Sequence, residues 1–279
     1  MTNAIRSWVK ALSGSGRIGL ALVLFWLLIA IIGPFLAPYD PGAFVAHDVF
    51  AGFTGAHLLG SDYLGRDVLS RLLSGARYSV GLALAAALLA STAGITLALL
   101  TSVSPRWLDE GISRFMDTLI SIPSKIFSLV LVAVVGSSLP LLLLVASVTY
   151  MPGSFRIARS LAVNLAQMDY VQVARCRGEG AAYIAIREIL PNMIHPMLAD
   201  FGLRFVFIVL LLSGLSFLGL GVQPPDADLG SLVRENISGL GEAAPAILMP
   251  AIAIATLTVG VNLLIDALPG RGRRMAGKE

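Results

Sequence analysis

The chain has 279 residues, 56% of them hydrophobic and only 13% charged, where soluble domains carry about a quarter charged residues. That balance belongs to a membrane protein, and a net charge of +3 without a concentrated basic face excludes nucleic-acid binding. The single cysteine, Cys176, excludes an intrachain disulfide.

A bilayer core about 30 Å thick takes roughly 20 apolar helical residues to cross. Six runs qualify: Ile18 to Leu36, Ser79 to Val103, Lys125 to Val135 with help from its flanks, Leu139 to Met151, Leu198 to Leu220 and Ala244 to Leu268. Arg6, Lys10 and Arg17 precede the first run as they would in a signal peptide. Its apolar core is longer than the roughly 7–15 residues of such a peptide and more spans follow, so it is read as an uncleaved anchor.

Between the first two runs, His47, Asp48 and His57 lie in an outer loop as solvated side chains rather than metal ligands. Leu58 to Arg77 then carries Asp62, Arg66, Asp67 and Arg71 at spacings that pair Arg66 with Asp62 and Arg71 with Asp67 on a helix. The expectation is a helix on the outer membrane surface that contacts other subunits or braces the entry to the second span. The third and fourth runs are separated by "GSSLP" and read as a tight helical hairpin.

Met168 to Asn192, "MDYVQVARCRGEGAAYIAIREILPN", is a polar insert between apolar runs. Asp169 and Gln172 have capping-box spacing. A short helix to Arg177, a break at Gly178 and Gly180, and a second helix from Ala181 to Leu190 ended by Pro191 are expected. Such a unit links two spans along the membrane surface or docks into a groove of a soluble partner. In the fifth run, Asp200 is followed one turn later by Arg204 in the favourable acid-first order, and His195 has no partner in the pattern. "SFLGLGVQPPDADLG" closes that run. Asp226, Asp228, Glu235 and Glu242 follow against Arg234, as acids of a solvated loop. Asp266 stands near the inner end of the last run, within reach of water.

With the N-terminus inside, the inner segments hold 15 of the 20 Lys and Arg residues, including Arg271, Arg273, Arg274 and Lys278 in the tail. Basic residues are retained on the cytoplasmic side of short loops, so both termini and the polar insert are expected there. The chain as given has three lysines, Lys10, Lys125 and Lys278, none in the phosphate-cradling pattern of a P-loop ATPase. It shows no hydrolase elbow or zinc-protease motif. Asp200 and Asp266 are better explained by ion pairing and a helix end than as a catalytic dyad. A secondary carrier would show repeated halves, and none is seen.

"YVQVARCRGEGAAYIAIREILPN" resembles the coupling motif of ABC importer permeases, roughly E-A-A, three residues, Gly, about nine residues, then I-x-L-P. Gln172, Val173 and Ala174 stand in the E-A-A places, Gly178 at the glycine, and Ile189, Leu190 and Pro191 at the close. "LLGSDYLGRDVLSRLLSGARYS", "RFMDTLISIPS" and "LSFLGLGVQPP" resemble, in order, the second permease subunit of dipeptide, oligopeptide and nickel importers. The resemblance implies an all-α polytopic protein of six transmembrane helices with the type I ABC importer fold, in the bacterial inner membrane. It divides the chain into an N-terminal span and outer loop (1–74), a five-helix permease core with coupling helices at about 168–191 (75–268), and a basic tail (269–279).

The implied partners are a second homologous permease chain, two ABC ATPases that hold ATP and Mg, an extracytoplasmic binding protein and the lipid bilayer. This chain itself is expected to carry no cofactor, metal or catalytic residue. Tyr170, Gln172, Ala174, Arg175, Gly178, Ile189, Leu190 and Pro191 are the implied ATPase-coupling residues. Arg175, Arg177 and Arg187 face either the ATPase or lipid headgroups. Gln172 replaces the common family glutamate, so no salt bridge carries over at that place. Asp117, Ser213, Gly214 and Ser216 are candidate pore-lining residues. The implied solute is a short peptide, with nickel, a metal chelate, an opine or a sugar-phosphate-like compound as alternatives.

Overall fold

The computed structural model describes residues 12–46, 48–242 and 244–267, with the side chain of Glu242 set aside. Arg6, Lys10, His47, Arg271, Arg273, Arg274, Lys278 and the basic tail lie outside the described residues. Nine helices, α1 to α9, are described. They are α1 (Gly14–Leu36), α2 (Val68–Ser102), α3 (Arg106–Ser121), α4 (Ser124–Val135), α5 (Leu139–Ala166), α6 (Asp169–Cys176), α7 (Ala181–Phe217), α8 (Leu229–Glu235) and α9 (Pro245–Asp266). A 3₁₀ segment, Ile237–Glu242, joins the last two. Among the described residues the only β pairing is two isolated bridges in the outer loop, Phe44 with Arg66 and Ser61 with Asp67.

Five helices, α1, α2, α5, α7 and α9, are individually long and apolar enough to cross a membrane, and α3 with α4 forms a sixth candidate bent by 86°. The six-helix all-α expectation stands, but several boundaries move, the start of α7 from Leu198 to Ala181 among them. α2 begins at Val68, before the apolar run, and α5 continues to Ala166 beyond Met151. At 1.5 Å per residue its 28 residues span about 42 Å. α4 has only 12 residues, about 18 Å, so it cannot cross alone and needs α3. The break follows from Pro123, which has no N–H to give and which turns the preceding Ile122 extended. The expected hairpin is therefore unequal, its tip at Gly136 with φ +113°. The division expected at 74/75 falls inside continuous α2.

Small residues set the core. Ala76, Ala83, Ala86, Ala87, Ala90 and Ala98 of α2 are fully buried, as are Ala146, Ala158 and Ala162 of α5. In lipid, where helices gain nothing from hiding apolar surface from water, close backbone approach is what holds them together. Gly94 shows how close: a Cβ there would stand 2.8 Å from Phe155 N and 3.0 Å from Met151 O. α1 packs on α2 and α9, where Trp26 Nε1 donates to Thr256 Oγ1 at 3.0 Å.

The core has two centres. One joins α1, α2, α4, α5, α7 and α9 with α8 around Ile208, Leu229 and Leu257. The second joins the ends of α2 and α5 to α6 and the start of α7, around Phe155, Val171, Ile189 and Met193.

Candidate functional site: the docking element and the outer clamp

α6 stands between the end of α5 and the start of α7, and two of its residues fasten it. Val171 and Ala174, one turn apart, are fully buried in the second core centre. Their opposite face is open: Gln172, Arg175, Cys176 and Arg177 are exposed, with Val173 at 56%. The helix ends in a Schellman turn, in which Gly178 N donates to Arg175 O at 2.9 Å and Glu179 N to Ala174 O at 3.2 Å. Gly178 has φ +79°, a left-handed conformation that side chains disfavour, although a Cβ there would meet open space. Its glycine is thus required by backbone geometry rather than by crowding.

The expected capping box is not formed. α6 is capped at Met168 without a side-chain bond, so Asp169 is its first residue and Gln172 its fourth. Gln172 Nε2 instead donates to Ala166 O at 3.1 Å, tying α6 back to the end of α5. The second correction concerns Pro191, which does not end a helix. The chain widens into a π turn over Ile184–Ile189, with Leu190 N bonded to Ala185 O, and continues as α7 to Phe217. A proline removes one donor and crowds the carbonyl four residues back, and the wider turn provides the room. Ile184, Ala185 and Ile189 anchor this turn in the same core centre as Val171 and Ala174.

The expected coupling residues therefore divide by role. Ala174 and Ile189 are buried anchors and Leu190 is half-buried. Tyr170, Gln172, Arg175, Gly178 and Pro191 are exposed. Tyr170, Val173, Tyr183 and Ile186 expose 38 to 57% of their surface on the two arms, interleaved with Arg175, Arg177 and Arg187. Exposed apolar side chains thus alternate with guanidinium groups over both arms. Arg177 Nη2 is 3.8 Å from Glu188 Oε1, a loose link between the arms that leaves the arginine half exposed.

In the loop between α1 and α2 the sequence reading needs more correction. Residues 58–67 form turns and bridges rather than a surface helix, because Gly60 and Gly65 take φ +74° and +76°. Asp67 caps α2 by accepting from Ser70 N at 2.8 Å, and faces His57 Nδ1 at 3.1 Å. His57, read as solvated, has a side chain only 12% exposed. Asp62 pairs with Arg66 as expected, at 2.7 Å, but Arg71 passes over Asp67 and donates to Asp62 Oδ2 and Glu235 Oε2, both at 2.8 Å. Arg66 Nη2 donates to Glu235 Oε2 at 2.7 Å, completing a largely buried ring of two carboxylates and two guanidinium groups.

The ring fastens the outer loop to the end of α8, and Asn236 Oδ1 adds a bond from Tyr63 N at 3.1 Å. Burial alone would lower Arg66, but the two carboxylates hold it above its ordinary value. Glu235 and Asp228, read as solvated acids, are structural: Asp228 is 2% exposed, caps α8 by accepting from Ser231 N at 2.8 Å, and receives Ser216 Oγ at 2.6 Å. Its burial raises its pKa. Nothing in a one-dimensional spacing rule joins Arg71 to a glutamate 164 residues later.

The pore candidates also separate. Ser216 is 2% exposed and donates its hydroxyl to Asp228. Gly214 is exposed and Ser213 half-buried on α7. Asp117 is exposed on α3, beside a cavity of about 420 Å³ that Arg156, Arg159 and Asn164 of α5 also line. Arg159 Nε donates to Asp109 at 2.6 Å, pinning α5 to α3. Asp200 and Arg204 pair as expected, at 2.9 Å. Among the described residues no group of three His, Cys, Asp or Glu could hold a metal.

The sequence pattern described as "Binding-protein-dependent transport system inner membrane component" matches residues 90–274. The glutathione transport system permease protein GsiD of Pectobacterium atrosepticum is 32% identical, over 88% of this chain and 82% of its own. The di/tripeptide transport system permease protein DppC of Pseudomonas aeruginosa is 30% identical, over 94% of this chain and 88% of its own. A putative peptide transport system permease protein of Brucella suis is 33% identical, over 91% and 86%. The similarity thus runs through both the outer clamp and the docking element.

Proposed function

The chain belongs to the inner-membrane components of binding-protein-dependent transport systems, and on that premise we propose that it imports short peptides, coupled to separate ATPases through α6 and the start of α7. It is a multi-pass permease subunit of an ABC importer and not an enzyme. Peptide as the solute is supported by relatives named for di/tripeptide, dipeptide and glutathione transport.

The observation that carries the coupling reading is the two-faced docking element, with Val171, Ala174, Ile184 and Ile189 sunk in the core and Tyr170, Val173, Arg175 and Ile186 presented outward. A rigid anchor with an open apolar and basic surface transmits force in both directions. Gln172 then acts inside the chain, holding α6 to Ala166, rather than as a charged contact with the ATPase.

The rest of the assembly in this reading is a second homologous chain completing the pore, two ATPases holding ATP and Mg, and an outer binding protein. The pore face includes Ser213 and Gly214 with Asp117 toward the inner side, and both termini are cytoplasmic. The test is uptake of a labelled dipeptide by the complete complex in proteoliposomes. ATP-dependent uptake is expected, and uptake driven by a proton gradient without the ATPases would overturn the reading.

A further inference from the structure

The break between α3 and α4 leaves a cavity of about 230 Å³, walled by Pro123 and Ser124 at the break, Tyr150 and Gly153 of α5, and Arg204 of α7. An arginine at this depth is costly unless paired, and in a membrane protein such a residue marks a functional site. Arg204 is 13 residues into α7 beyond Pro191, and Gly153 is 13 residues before the end of α5, about 20 Å from it at 1.5 Å per residue. Because α5 is about 12 Å longer than a bilayer core of about 30 Å, this depth puts the group within the hydrocarbon region but toward the end that bears α6.

The pairing of Arg204 is one-sided. Nε and Nη2 both donate to the same oxygen, Asp200 Oδ1, at 3.1 and 2.9 Å. Asp200 Oδ2 is buried without a partner. Nη1 makes no hydrogen bond among the described residues. It lies against Gly153, where a Cβ would collide with it and come within 2.9 Å of Cζ. The absence of a side chain at 153 is therefore what admits the guanidinium to the cavity wall.

A guanidinium carries five donors in a planar fork suited to a carboxylate, and here the Nη1 edge is spare while Asp200 neutralises the cation. The cavity also adjoins the proposed path. Tyr150 stacks on Phe207, ring centroids 6.1 Å apart, and Phe207 and Gly214, two turns apart, lie on the exposed stripe of α7.

From this we infer that Arg204 forms an intramembrane binding site for a solute carboxylate, such as the C-terminus of a peptide in transit. The inference rests on the peptide-permease reading. On the α5 face below it, Gly153 is followed by Arg156, Ser160 and Asn164 along the larger cavity, a polar track by which the carboxylate leaves toward the end that bears α6.

The test is ATP-dependent uptake by the full complex of one dipeptide as free acid and as C-terminal amide, with the same saturating binding protein. The free-acid to amide ratio of each variant is divided by that of the wild type, so that any preference of the binding protein cancels. Arg204→Gln with Asp200→Asn leaves no buried charge behind, and Gly153→Ala displaces the guanidinium with both charges kept. A charge-assisted bond lost from the bound solute predicts a drop in the ratio of about tenfold or more in either variant. A ratio unchanged in both variants, with uptake intact, overturns the Arg204 site alone. Uptake of neither peptide by the wild type overturns the peptide reading and this inference with it.

Discussion

Replacing Arg71 by methionine should loosen the whole outer half of the molecule. Arg71 is 3% exposed, and its Nη1 is shared between Asp62 and Glu235, themselves 1% and 10% exposed at the side chain. With Arg66 the ring is neutral; without Arg71 two buried carboxylates face one guanidinium. Asp62 keeps its bonds from the backbone N–H groups of Leu64 and Arg66, so the loss falls on Oδ2 and on Glu235. Removing one partner of a buried ion pair costs about 3–5 kcal/mol, because the other is left uncompensated. At about 2–4 °C per kcal/mol for a chain of this size, the apparent Tm should fall by about 10 °C.

Purified protein in detergent, heated and followed by loss of the monodisperse peak in size-exclusion chromatography, gives that shift. Adding Glu235→Gln to Arg71→Met restores neutrality and should recover part of it. The exposed pair Arg106 and Glu110, at 91% and 47%, provides the control. A drop no larger for Arg71→Met than for Arg106→Met would refute the reasoning.

Other consequences are as direct. Gly178→Ala puts a side chain at φ +79° in open space, so the cost should be only about 1–2 kcal/mol, and Gly178→Asn should restore most of it; ATPase activity stimulated by loaded binding protein should follow Ala < Asn < Gly. Asp228→Asn keeps a capping oxygen and should lower the Tm less than Asp228→Ala, which loses a cap worth about 1 kcal/mol and leaves Ser216 without its acceptor. Because burial raises the Asp228 pKa, its ionised form is penalised in the fold. Its contribution is therefore fully favourable below the ordinary carboxylate value of about 4 and declines as pH rises through the raised one. Tm measured against pH should show wild type losing ground to Asp228→Asn across that window. Gly94→Leu should prevent α2 and α5 from approaching, and a chain that remained monodisperse and membrane-inserted would argue against their close packing.

The six-helix plan is legible because apolar length is a property of the chain alone, and the two-armed polar insert between α5 and α7 because its residues are contiguous. What escaped was set by partners distant in sequence. Helical spacing matches Arg71 to Asp67, but in the fold Asp67 caps α2 and a glutamate from α8 completes the ring. Ser216 looked like a small pore residue until folding brought Asp228 onto it. Pro191 read as a stop because the rule for prolines assumes an α turn before it, and a π turn relieves that conflict. The pairing of Asp200 with Arg204 was legible, being a single turn apart, while its spare Nη1 edge depends on Gly153 of another helix.

Cys176, the only cysteine of the chain, is exposed at the end of α6 and allows the coupling claim to be probed in the native sequence. A short bifunctional maleimide added to the assembled complex, with a single cysteine placed in the groove of the ATPase that receives α6, should join permease to ATPase and block peptide-stimulated ATP hydrolysis until the linker is cleaved. Efficient labelling of Cys176 in the complex with no crosslink, and hydrolysis that continues unchanged, would contradict docking through this element.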